Sequence, residues 1–201
     1  MTPVSKEGLN AGNIVSFIGD IFDRRGDEEY LGEPVTMAEH MLQAAHFAEQ
    51  ANESDKVVVA ALLHDIGHFT SEFGTFSMDD DEDRFHEEAG AEVLQPYFPK
   101  LVIDCVLHHV AAKRYLCAKK PEYFKRLSEA SIHSLNLQGG PMSAAEMAQF
   151  ETNPNLDDII KVRYYDEAGK HAGLQTKSFS DYAPVVQRVV DQHVHMEGAG
   201  E

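Results

Sequence analysis

Cysteine is scarce, basic residues are outnumbered, and no apolar run is long enough to span a bilayer. The two cysteines, Cys105 and Cys117, stand apart, which excludes a disulfide framework and a metal site of paired Cys ligands. Lysine and arginine total 17 against 34 acidic residues, a net charge of −17. Such a surface repels phosphate backbones and anionic lipid, so neither nucleic acid nor a membrane is expected as a partner. No stretch approaches the roughly 18 apolar residues of a membrane helix. The opening MTPVSKEGLN lacks a basic segment followed by an apolar one, hence a secretory signal. A cytoplasmic location is expected. Strand-type alternation is missing too, and no linker divides the 201 residues, which suffice to bury one core.

What remains is helical pattern. Thr36 with Glu39 three residues on makes a capping box for TMAEHMLQAAHFAEQA. Asp55 is placed to cap KVVVAALLHDIGHF, whose continuous apolar run 57–63 suits a central helix. HEEAGAEVLQPYF, PKLVIDCVLHHVAAKRYLCA and PEYFKRLSEASIHSL follow, the last with Pro121 at a first helical position. Ser143 and Glu146 box the start of AAEMAQF, and NLDDIIKVRYYDEAG and a helix over about 180–197 complete the chain. The pattern predicts a single all-α domain, 1–201, of about eight helices.

Eleven histidines are present, and their placement carries chemistry. His40 lies early in one helix; His64 and Asp65 end the central one. His86 opens the next, His108 and His109 fall inside another, and Asp166 lies late in a further helix. A buried imidazole or carboxylate is costly unless paired or metal-bound. Imidazole with carboxylate is the ligand set of iron, manganese or zinc, and groups on separate helices converge only inside a bundle. Six such ligands exceed what one catalytic metal needs; with Asp65 bridging, they fit two.

Helical phase favours His109 over His108 as the inward group, on one face with Val102, Val106 and Lys113. His64 and His68 are four apart and expected to face one way, while Arg163 and Asp166 are three apart. Lys113 and Arg163 aimed at a metal pair suggest an anionic substrate, a phosphonate or phosphate. The acidic run 79–84 reads as a solvated loop.

The order H…HD…H…HH…D resembles the HD-domain superfamily, and the additional His86 and His109 resemble its dinuclear, oxygen-activating branch, which includes myo-inositol oxygenase. YLGE at 30–33, HDIGH at 64–68, HHVAAKRYL at 108–116 and RYYD at 163–166 are similar to the aminohydroxyethylphosphonate dioxygenases of that branch, over about residues 30–166. The resemblance implies a single HD-domain helical bundle and two iron ions, Fe(II)/Fe(III), held by His40, His64, Asp65, His86, His109 and Asp166. It further implies that a small-molecule hydroxyphosphonate and O2 react there, breaking the C–P bond to leave a carboxylate and phosphate. His68, Lys113, Ser131 and Arg163 correspond to phosphonate-binding positions. Tyr30 would occupy an iron site before substrate arrives, and Glu33 would meet the substrate's cationic nitrogen.

One departure stands out: where an amide side chain is expected one turn after Ser131, this chain has Ser134. The candidate substrates are the primary amine, giving glycine, and its N-trimethyl form, giving glycine betaine. A quaternary ammonium prefers aromatic faces and a carboxylate, which Tyr30, Glu33 and the Phe69–Phe76 segment could supply, so the trimethyl form is favoured. An HD phosphohydrolase activating water is the alternative enzyme, and a catalytically silent HD module the alternative of another class. Consumption of dioxygen separates the first, and metal content the second.

Overall fold

The computed structural model describes residues 8–30, 32–70, 83 and 85–198. Among them every regular element is helical, apart from one isolated bridge between Glu29 and Thr36. The elements are α1 (Ile14–Arg25), α2 (Met37–Gln50), α3 (Asp55–Leu63), α4 (Gly67–Thr70), α5 (His86–Leu94), α6 (Lys100–Lys119), α7 (Pro121–Phe124), α8 (Glu129–Leu137), α9 (Ala144–Phe150), α10 (Leu156–Ala168) and α11 (Phe179–Gly198). The all-α expectation holds, with eleven helices among the described residues rather than about eight. None of them is long and apolar enough to cross a membrane.

The difference has three physical sources. α1 was not anticipated, although Ile14, Phe17, Ile18, Ile21 and Phe22 are buried at the spacing of an amphipathic helix. The segment 121–135 divides because Ser128 starts a new helix, its hydroxyl accepting from the Ser131 amide. The third source is a break after Leu63, where 64–66 form a turn before α4. In an unbroken helix neighbouring side chains diverge by about 100°; the turn lets His64 and Asp65 both point inward. Two capping boxes form as expected, at Thr36/Glu39 and Ser143/Glu146. Asp55, however, is the first helical residue of α3, and Ser54 is its cap.

α3 is the centre of the bundle. All seven residues Val57–Leu63 are buried, and α2, α6, α10 and α11 pack around them. α5 lies against α6 and α4, and α1 against α11. The contact between α4 and α5 is closer than side chains allow. A Cβ at Gly67 would overlap the His86 carbonyl oxygen and lie 2.7 Å from the Gly90 nitrogen. Glycine is thus required in HDIGH by backbone proximity, and that proximity brings His68 to His86.

Candidate metal centre

Five elements deliver the metal-ligand candidates to one place. α2 carries His40, and the turn after α3 carries His64 and Asp65. The first residue of α5 is His86, α6 supplies His109, and α10 supplies Asp166. All six are buried, none more than 8% exposed. Tyr30, Glu33, Asp65, His68, His86, His109, Lys113, Ser131, Arg163 and Asp166 line one cavity. His40 and His64 lie behind its wall, fully buried. All twelve side chains singled out in the sequence therefore meet. His108 is not among them; its ring meets Phe150 on the far side of α6.

Donor atoms fall into two groups divided by one carboxylate. The Nε2 atoms of His40 and His64 are 3.0 Å apart, each 3.4 Å from Asp65 Oδ2. Asp166 Oδ1 lies 3.5 and 3.9 Å from the same nitrogens. On the other side, the Nε2 atoms of His86 and His109 are 3.0 Å apart and 3.3 and 3.2 Å from Asp65 Oδ1. Ligands about 2.1 Å from a common ion are separated by roughly 3 to 3.5 Å, the spacing seen in both groups except for the 3.9 Å between Asp166 and His64. His64 and His68 do not face one way: His64 belongs to the Oδ2 group, whereas His68 stacks on His86 at 4.0 Å between centroids. The break after Leu63 is the reason.

Backbone carbonyls fix which nitrogens are free. His40 Nδ1 donates to Gly169 O at 2.9 Å, His64 Nδ1 to Ala61 O at 2.8 Å, and His109 Nδ1 to Val106 O at 2.8 Å. A carbonyl can only accept, so each ring turns its Nε2 lone pair into the centre, as metal-ligating histidines do. The two Nε2 lone pairs of His40 and His64, 3.0 Å apart, repel unless a proton or a metal ion lies between them. Asp166 Oδ1 is also buried without a hydrogen-bond partner. The donor set is that of a metal-binding site.

Charge supports this. Burial disfavours the charged form of His64, yet Asp65 and Asp166 outweigh it and push the imidazole up to about 9. Burial would likewise raise both carboxyls, but His64 and its neighbours hold Asp65 well below the usual range. Arg163 leads the groups that do the same for Asp166. The centre thus draws positive charge. His68 is the opposite case: burial and His86 keep it neutral. Tyr30, stacked on His40 at 3.9 Å, has its hydroxyl raised by burial and by Asp65 and Asp166.

α8 forms the facing wall as a row of serines one turn apart. Ser128 Oγ donates to Glu33, Ser131 Oγ accepts from Lys170 at 2.8 Å, and Ser134 Oγ accepts from Lys113 at 2.8 Å. Arg163 donates through Nη1 to Asp166, through Nη2 to Glu167, and through Nε to the Tyr123 hydroxyl at 2.7 Å.

The HD-domain family profile matches residues 37–146. A [1-hydroxy-2-(trimethylamino)ethyl]phosphonate dioxygenase (glycine-betaine-forming) of Leisingera caerulea is 72% identical over 186 residues, covering 92% of this chain and 95% of that protein. A hydroxymethylphosphonate dioxygenase of Gimesia maris is 38% identical over 186 residues, 90% of each chain. The chain belongs to the HD-domain phosphonate dioxygenases. The profile match ends before Arg163 and Asp166 and begins after Tyr30 and Glu33, which α10 and the approach to α2 bring back to the centre.

Sequence reasoning overlooked two polar residues of this dioxygenase's cavity, Lys170 and Gln138. Lys170 was detectable: Arg163, Asp166, Glu167 and Lys170 recur at the three- and four-residue spacing of one helix face, although α10 ends at Ala168. Gln138, the residue capping α8, brings an amide with an unpartnered oxygen to the wall one turn beyond Ser134. The aromatic segment ending at Phe76 lies outside the described residues beyond Thr70, as does most of the acidic run 79–84. Phe69 itself is buried under the Arg25 guanidinium.

Proposed function

We propose that this dioxygenase uses O2 to break the C–P bond of 1-hydroxy-2-(trimethylamino)ethylphosphonate, giving glycine betaine and phosphate, at an Fe(II)/Fe(III) pair. The observation that carries the reading is the division of Asp65, one oxygen toward His40 and His64 and the other toward His86 and His109. A carboxylate so placed suits a bridge between two ions. One iron would be held by His40, His64, Asp166 and Asp65. The other would be held by His86, His109 and Asp65, a smaller set that leaves room for exchangeable ligands. The 72% identity to the Leisingera caerulea enzyme supports the choice of substrate.

Bound there, the irons supply the electron transfer that activates dioxygen against the substrate's C1–H bond. The chain's own residues bind and orient. Lys113 and Arg163 offset the phosphonate charge, and Ser131, neutral His68 and the Gln138 amide offer further hydrogen bonds. Glu33 supplies the negative charge that the trimethylammonium group needs, since that group has no N–H to donate. Tyr30, packed on the His40 ring, can fill the ligand space until substrate enters. The reaction balances as one hydroxyphosphonate and one O2 giving one carboxylate, one hydrogen phosphate and one proton.

An oxygen electrode coupled to a phosphate assay tests the reading. Iron-loaded protein is expected to consume O2 and release phosphate and glycine betaine in equal amounts. It is expected to turn over the trimethyl substrate faster than the primary amine. Phosphate release without oxygen uptake would instead identify a hydrolase.

A further inference from the structure

We propose that Lys170 adjusts the site to the charge of the substrate's nitrogen end. It neutralises Glu33 when no cationic group is bound, and it yields that carboxylate to one that is. The inference rests on the phosphonate reading above and deepens it, adding a specificity-determining residue.

Lys170 follows Gly169, whose carbonyl accepts from His40, so its backbone is anchored beside the metal centre. The lysine side chain is only 12% exposed, with Nζ 3.1 Å from Glu33 Oε1. The same nitrogen is 2.8 Å from Ser131 Oγ and 3.4 Å from Glu167 Oε1. The other two cations of the cavity are engaged elsewhere, Arg163 with Asp166 and Glu167 and Lys113 with Ser134. Lys170 is therefore the cationic partner of the carboxylate proposed to meet the substrate nitrogen.

Two cations cannot share the largely buried Glu33 without repelling each other. A trimethylammonium group arriving there must displace Lys170. The lysine has somewhere to go: Ser131, one turn along α8 from Ser128, already accepts from it, on the side where the phosphonate is proposed to sit. Its flexible stem allows the change. A phosphonate without nitrogen leaves Lys170 on Glu33, so the carboxylate does not repel it. Without Lys170, Glu33 would keep the Ser128 hydroxyl but no cation, favouring cationic ligands and opposing uncharged ones. Lys170 thus moderates the charge preference of the cavity.

A matched ligand pair reads this directly. 2-(Trimethylammonio)ethylphosphonate and 3,3-dimethylbutylphosphonate share shape and differ in one charge, and both lack the C1 hydroxyl that the reaction consumes. Their dissociation constants are measured by anaerobic titration calorimetry on iron-loaded protein. Lys170→Gln is expected to raise the preference for the cationic member at least tenfold, chiefly by weakening the neutral one. Lys170→Arg is expected to keep the wild-type ratio. Glu33→Gln, which removes the carboxylate, is expected to abolish the preference. An unchanged ratio in folded Lys170→Gln overturns the proposal; should that variant not fold, an unchanged ratio in Glu33→Gln does so. Failure of the phosphonate reading looks different, because wild-type protein would then bind neither ligand.

Discussion

Gly67→Ala is the smallest change that tests how the backbone holds the metal centre. The added methyl group would overlap the His86 carbonyl oxygen and lie 2.7 Å from Gly90 N, so α4 and α5 must separate by on the order of 1 Å. Overpacking of this kind costs about 1–3 kcal/mol, which for a protein of this length lowers Tm by roughly 2–12 °C. The functional cost is larger than the thermal one. Displacing the His86 backbone moves its Nε2 away from His109 and Asp65, now 3.0 and 3.3 Å distant, and disturbs the His68–His86 stack. A misplacement of about 1 Å at a reacting centre can reduce rate about a hundredfold. The assays are thermal unfolding, iron per chain and kcat. A variant that melts with wild type and retains full iron and rate would refute the argument that Gly67 sets the α4–α5 spacing.

Other substitutions separate the roles of individual groups. Asp65→Ala is expected to lose both irons together, since the two donor groups share this carboxylate; elemental analysis showing one iron retained would refute the bridge. Lys113→Met is expected to keep its iron and raise KM for the phosphonate by about tenfold, the loss of one charge-assisted contact. Burial and the Arg163 charge push the Lys113 ammonium down to about 7. The cation proposed to attract phosphonate is therefore present below that pH and lost above it. KM is expected to rise as pH passes upward through 7, and Lys113→Arg to flatten that rise. Arg163→Lys removes the fork that engages Asp166, Glu167 and Tyr123 together; both KM and the iron dissociation rate are expected to increase.

Much of this molecule is written in local spacing. The capping boxes, the buried run 57–63 and the choice of His109 over His108 depend only on residues within a turn or two of each other. The HD-domain order of histidines and aspartates is likewise linear information, and it names the family and the ligand types. Buried Ile14, Phe17, Ile18, Ile21 and Phe22 were equally legible, as was the α10 stripe that ends in Lys170.

Other features arise only when distant segments meet. No periodicity announces that the chain turns after Leu63, because the apolar pattern continues through it; packing against α5 and the two inward-facing residues decide that turn. Nor could spacing reveal that the two oxygens of Asp65 face different histidine pairs, that Gly169 fixes the free nitrogen of His40, or that Lys170 sits on Glu33. Helix and cap propensities are set by neighbours in sequence, so the chain alone determines the helical class, most of the helices and the inventory of donors. Which ring nitrogens face each other across 3.0 Å depends on helices separated by many residues, and the tertiary fold alone decides it.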